Sequence, residues 1–178
     1  MAKRKQAEPA ARYLGLDISL NPGFAVIDVK NRVPTLIHAS SLVTATTHTD
    51  GQRFAYIEAK TVATAHDYGP FTAIIREDFT DGRSKRARQG VFGAWAAVDQ
   101  GLGRYGYVVT DDIAPTAVKR HVTGNGKAEK AEVAATVRKY LRLPDDYTFA
   151  AGYDDSDACG IILAHLIANK LIDVEGAV

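Results

Sequence analysis

Apolar and polar positions along this chain alternate with two different periods. Residues 14–19 and 24–29 are short β-type runs, and Leu20-Asn21-Pro22-Gly23 between them is made of turn formers, which predicts a hairpin. Residues 34–43 can supply a third strand. The period becomes helical over residues 50–66, where Phe54, Ile57, Thr61 and Ala65 share one face. Gly69-Pro70 interrupts that helix, and residues 71–77 read as a fourth strand ending in Glu77. Residues 84–102 carry Val91, Trp95 and Val98 at helical spacing, and residues 105–110 predict a fifth strand. Pro115 suits the first turn of a short helix to Val122, followed by the loop Thr123-Gly124-Asn125-Gly126. An amphipathic helix is expected over residues 127–142, stopped near Pro144, and a last helix over residues 154–171.

Three hairpin-linked strands followed by alternating helices and strands imply an α/β fold: a five-stranded mixed sheet with helices on both faces. The 178 residues suit one domain with a sizeable core. Residues 1–11, with Lys3, Arg4 and Lys5, read as a basic flexible tail, leaving residues 12–178 as the single domain.

Strand alternation puts Tyr13, Gly15 and Asp17 on one face and Leu14, Leu16 and Ile18 on the other. Asp17 therefore interrupts an apolar strand, which is costly unless something pairs with it. Ala73, Ile75 and Glu77 share a face in the same way. In the last helix Asp154, Asp157, Ile161, Ala164 and Ala168 follow helical spacing, so a stripe that should dock on the sheet begins with carboxylates. Each acid alone has an ordinary reading, as a helix cap for Asp154 and Asp157 or a solvated strand end for Glu77. Together they suggest a shared cation. Hard oxygen donors, without a histidine cluster or a cysteine pair, favour Mg²⁺ or Mn²⁺. Two such ions about 3.5–4 Å apart would activate water and stabilise the leaving oxygen of a phosphodiester.

Net charge is only +1, so bulk charge announces no nucleic-acid partner. Its distribution is more telling. Arg83, Lys85, Arg86 and Arg88 cluster without an intervening acid, and Lys119, Lys127 and Lys130 lie in a second basic stretch. Cys159 is the only cysteine, which excludes an intramolecular disulfide and fits a reducing cytosol. No apolar run approaches the roughly 18 residues of a membrane span, so a cytoplasmic location without a membrane partner is expected.

The segments Leu14-Gly15-Leu16-Asp17, Ile74-Ile75-Arg76-Glu77 and Asp154-Asp155-Ser156-Asp157-Ala158, running into Ala164-His165, resemble the RuvC family of Holliday junction resolvases. Val118-Lys119 with Val122-Thr123-Gly124-Asn125-Gly126-Lys127-Ala128-Glu129-Lys130 adds to the likeness, because the family uses this spacing for its two functional lysines. The matches span residues 13–170, as in a phage-type or otherwise divergent member. The resemblance implies an RNase H-like fold, a homodimer, and Mg²⁺-dependent paired nicks at four-way DNA junctions. It implies Asp17, Glu77, Asp154 and Asp157 as ligands of two ions, with Asp155 a rival to Asp154. The family's Asp-x-x-Asp spacing favours Asp154. Lys119 and Lys130 would then meet the phosphate or the charge developing on it; on residue type alone they read as a solvated helix face.

The family often places an aromatic residue three positions after the strand glutamate. Here that position is Thr80, and Phe79 precedes it. Phe79 can stack on an unpaired base or belong to the core. Arg83, Lys85, Arg86, Arg88 and Lys127 are candidate phosphate contacts. Trp95 reads as core or dimer contact, and His165 as a packed residue. Gly101-Leu102-Gly103-Arg104-Tyr105-Gly106 follows a helix, which is the wrong order for a dinucleotide site, and no small-molecule cofactor is expected. A broader flap or hybrid nuclease, or a non-catalytic junction-binding protein, are the other readings.

Overall fold

The computed structural model describes residues 10–79 and 84–174. β1 (Ala11–Asp17), β2 (Gly23–Lys30) and β3 (Val33–Ser41) form an antiparallel meander. Asn31 and Arg32 join β2 to β3 with positive φ at both positions, 51° and 65°, the primed-turn geometry whose twist matches the flanking strands. α1 (Asp50–Tyr68) starts in a capping box: the Gln52 N–H donates to the Thr49 side chain, and the Thr49 N–H donates to the Gln52 side chain. β4 (Ala73–Glu77) then pairs parallel with β1. α2 (Lys85–Gly103) leads to β5 (Asp111–Ile113), parallel to β4. α3 (Pro115–Thr123), α4 (Lys130–Tyr140) and α5 (Asp154–Ala168) complete the chain. The sheet order is β3-β2-β1-β4-β5.

The period-two pattern of β1 sorts two cores. Leu14, Leu16, Phe24, Val26 and Ile74 pack with Ile57 of α1 and Ala94, Val98 and Leu102 of α2. Tyr13, Ala25, Ile27 and Ile75 pack on the opposite face with α5, and with Val118 of α3 and Val137 of α4. The mixed five-stranded sheet flanked on both sides is the expected fold class.

Four of the boundaries that differ from the sequence expectation are instructive. Ala11 is already the first residue of β1 rather than tail. The fifth strand lies at Asp111–Ile113, not residues 105–110. Gly106 (φ 72°) turns the chain out of α2, and Thr110 spends its backbone N–H and its hydroxyl on the Ile74 carbonyl, so the ladder begins one residue later. α4 starts at Lys130, not residue 127, because the Lys127 N–H donates to the Asn125 side chain and the Ala128 N–H to the Asn125 carbonyl, holding a turn. α5 stops at Ala168, short of residue 171, where Lys170 adopts positive φ (54°). No helix among the described residues is long and apolar enough to cross a membrane. Arg83, and residues 1–9 of the expected tail, lie outside the described residues.

Candidate active site

β1 and β4 run parallel with Leu16 opposite Arg76, so Asp17 and Glu77, one step further on, end neighbouring strands at the same edge and line one cleft. α5 crosses this face. Its close approach depends on two glycines. A Cβ on Gly15 would collide with the Ala158 carbonyl and the Ile162 side chain, and one on Gly23 with the Asp154 backbone. Gly23 is also the residue paired with Asp17 across the hairpin. The Asp154 backbone therefore lies directly beside the strand end that carries Asp17. Carboxylate oxygens of Asp17, Asp154 and Asp157 come within 4.8 Å of one another.

Such crowding has electrostatic consequences. Burial, then the charges of Glu77, Asp157 and Asp154, push the Asp17 carboxyl up to about 8, against a smaller opposing pull from Lys130. Asp157 is also raised by burial, although Lys130 and Lys119 oppose the shift. The Lys130 ammonium lies 2.6 Å from Asp157 and 3.7 Å from Asp154, and it donates to the Gly152 carbonyl at 3.3 Å. Burial works against its charge, but the hydrogen bond to Asp157 and the surrounding carboxylates raise its pKa overall. An ammonium thus sits where a cluster of acids calls for positive charge. The acids are hard oxygen donors on rigid elements, a donor set that fits Mg²⁺ or Mn²⁺.

Asp155 is separated from this group by its own hydrogen bonds. It is buried and accepts from the backbone N–H groups of Ala150 and Ser156. Its carboxylate ties the entry loop to the helix, while Asp154 faces Asp17. Glu77 stands outside the close trio but shares the cleft and acts electrostatically on Asp17. Lys119 is half-buried on α3, close enough to stabilise the Asp157 anion. Lys127 is exposed in the turn before α4.

The cleft holds about 50 Å³, bounded by Asp17, Ser19, Glu77, Phe79, Val91 and Trp95. That is room for a few waters or a hydrated ion. Phe79 is half-buried at its edge, with its ring 5.1 Å from that of Phe92. Trp95 lines the cleft, with the Arg76 guanidinium 4.0 Å above its ring. Of the basic cluster, Arg86 is bound to Asp50 at 2.5 and 2.7 Å, and Lys85 and Arg88 are exposed at the start of α2. His165 is roughly 16 Å further along α5 at 1.5 Å per residue. It packs against Tyr13 and bonds Asp111 at 2.7 Å, away from the acids. Sequence reasoning missed Gly15 and Gly23, whose lack of a side chain lets α5 approach the strands so closely.

Residues 14–165 match the family model described as crossover junction endodeoxyribonuclease RuvC. Among curated relatives, a protein of that name from Synechocystis is 31% identical over 164 residues, covering 90% of this chain and 94% of its own. Another from Dehalococcoides mccartyi is 28% identical over 155 residues, covering 86% and 90%. Among solved structures, Thermus thermophilus RuvC in complex with a Holliday junction substrate superposes with a TM-score of 0.78 at 26% identity, covering 90% of this chain and 96% of that one.

Proposed function

The chain belongs to the RuvC family of crossover junction endodeoxyribonucleases, and from that premise we propose that it resolves four-way DNA junctions by divalent-metal-dependent phosphodiester hydrolysis. The carrying observation is the trio Asp17, Asp154 and Asp157 gathered at the edge of the sheet where Glu77 also ends. These four side chains would hold two Mg²⁺ ions, with Mn²⁺ a substitute. When bound, the ions supply Lewis acidity toward the phosphate and lower the pKa of water. The protein's own contribution is positional. β1 and β4 hold two acids rigidly, and the first turn of α5 presents two more. Lys130 and Lys119 offer compact ammonium groups to the non-bridging oxygens as negative charge builds there. The expected products carry a 5′-phosphate and a 3′-hydroxyl.

Branched DNA is the substrate class that the family and the Thermus complex support. Lys85, Arg88 and Lys127, with Arg83, are placed by this reading on backbone phosphates; Arg86 would join them only by leaving Asp50. Phe79 would face the branch point. Two subunits would address two symmetric strands, in the cytoplasm.

The test is cleavage of an end-labelled four-way junction beside linear duplex, flap and RNA–DNA hybrid, in Mg²⁺ or EDTA. Paired, metal-dependent nicks confined to the junction are expected. Asp17→Ala should abolish cleavage and leave junction binding. Cutting of flaps or hybrids would move the substrate class, and a folded protein that binds junctions without cutting any substrate would overturn the enzymatic reading.

A further inference from the structure

Residues 18–22 join β1 to β2 directly after Asp17, and several independent contacts fix them. Ile18 is buried in the core shared with α1 and α2, and the Leu20 side chain fills the space over Gly90 of α2. The Asn21 side-chain oxygen accepts the Thr44 N–H at 2.9 Å, and the Thr44 hydroxyl donates to the Leu20 carbonyl at 2.9 Å. Arg53 of α1 donates to that hydroxyl at 2.6 Å, and the Leu42 N–H donates to the Pro22 carbonyl at 2.9 Å. The loop is thus tied to α1, to α2 and to the segment that follows β3.

Ser19 stands in the middle of this loop, half-buried, and lines the cleft beside Asp17 and Glu77. Its Oγ accepts the Asn21 N–H at 3.0 Å. A hydroxyl has one hydrogen to give and two lone pairs. The bond from Asn21 closes a local turn and occupies one lone pair. It leaves the hydrogen, which has no acceptor among the described residues. The carboxylates of the cleft, Asp17, Glu77 and Asp78, attract cations and repel anions. A hydroxyl can serve an anionic oxygen there without adding a charge that would compete with those cations for the carboxylates. Because the Asn21 N–H already fixes the oxygen, Ser19 loses little side-chain freedom in making such a bond.

Resting on the junction-nuclease reading, we infer that Ser19 is a substrate contact whose hydroxyl donates to one non-bridging oxygen of the scissile phosphate. It reaches the cleft from the side of Val91 and Trp95 on α2, whereas Lys130 comes from the side of α5. The two donors would therefore meet different oxygens and fix the rotation of the phosphate between them. The experiment compares wild type, Ser19→Ala and Ser19→Thr in single-turnover cleavage of a four-way junction with Mg²⁺. The scissile phosphate carries oxygen alone, or sulfur in its Rp or its Sp position. Sulfur is a poor hydrogen-bond acceptor, and its effect on the metal is common to the three proteins, so it cancels in the ratio between them. Calorimetry of Mg²⁺ binding without DNA is run on the same proteins.

Ser19→Ala should cleave the all-oxygen junction about 10- to 150-fold more slowly than wild type, the range for one hydrogen bond to a charged group. Ser19→Thr, which keeps the hydroxyl, should recover most of the rate. With sulfur in one of the two positions the gap between wild type and Ser19→Ala should close; with sulfur in the other it should persist. Mg²⁺ affinity without DNA should be the same in both. A gap that persists with either sulfur would mean that Ser19 only closes its turn, and would overturn the contact. So would a Ser19→Ala as fast as wild type, or one that binds Mg²⁺ more weakly, which would make the hydroxyl a metal ligand. A wild type that cuts no junction would overturn the junction-nuclease reading and the contact with it, an outcome none of the others resembles.

Discussion

Asp17 is the residue on which the site turns, and its protonation makes a property of the metal-free protein measurable. Its ordinary pKa of 3.8 rises to about 8 in the fold, through burial first and then the neighbouring carboxylates. Between those values the folded protein holds a proton that the unfolded chain has released. Stability is therefore present in full below about pH 4 and is lost as pH rises toward 8. In EDTA, denaturant midpoints should show wild type losing about 2–5 kcal/mol relative to Asp17→Asn across that window, since the amide has nothing to ionise. Saturating Mg²⁺ should remove most of the loss by neutralising the cluster. Lys130 now supplies part of that neutralisation from 2.6 Å, so Lys130→Met should steepen the decline in EDTA. A flat difference between wild type and Asp17→Asn from pH 4 to 8.5 would mean that Asp17 is neither desolvated by the fold nor crowded by acids.

At the scale of elements, the cluster exists because α5 can lie almost on the backbone of β1 and β2. Gly23 is decisive: any side chain there meets the Asp154 backbone, which a rotamer change cannot relieve. Gly23→Ala should cost about 1–3 kcal/mol, as overpacking does. It should also weaken Mg²⁺ binding at least tenfold by calorimetry, because the first turn of α5 must lift away from Asp17. Loss of stability with unchanged metal affinity would uncouple Gly23 from the site. The acids themselves were legible in the sequence because an Asp inside an apolar strand has few innocent explanations. The role of Gly23 was not, since a glycine after Asn-Pro reads first as a turn former. Nor did the sequence separate Asp154 from Asp155 by composition. That distinction comes from the N–H groups of Ala150 and Ser156, one of them five residues away. The fifth strand was misplaced for a related reason. Tyr107 and Val109 are apolar because they pack against the α1–α2 core, whereas the residues that pair with β4 begin with Asp111 and Asp112.

For the whole molecule, the sheet faces divide labour. One face carries α1 and α2, with Phe92 and the exposed cations Lys85 and Arg88; the other carries α3, α4 and α5, with Lys119, Lys130 and two of the acids. The cleft between Asp17 and Glu77 lies at the end of the sheet where both sets converge. With a net charge of only +1, affinity for DNA must come from this local arrangement rather than from the molecule's overall field. In the proposed mechanism one set of Asp17, Glu77, Asp154 and Asp157 addresses one phosphodiester at a time, and a second set in a second subunit would make the paired nick. Mixed dimers of wild type with affinity-tagged Asp17→Asn, isolated through the tag, should therefore convert four-way junctions into singly nicked junctions and stop there. Wild-type dimers should yield linear duplexes whose two nicks are symmetric about the crossover. Denaturing and native gels of the same reaction distinguish the products, because a nicked junction keeps its four arms until the second strand is cut. Paired nicks from the mixed dimer would mean that one subunit cuts both strands in turn, which would make the second cluster dispensable.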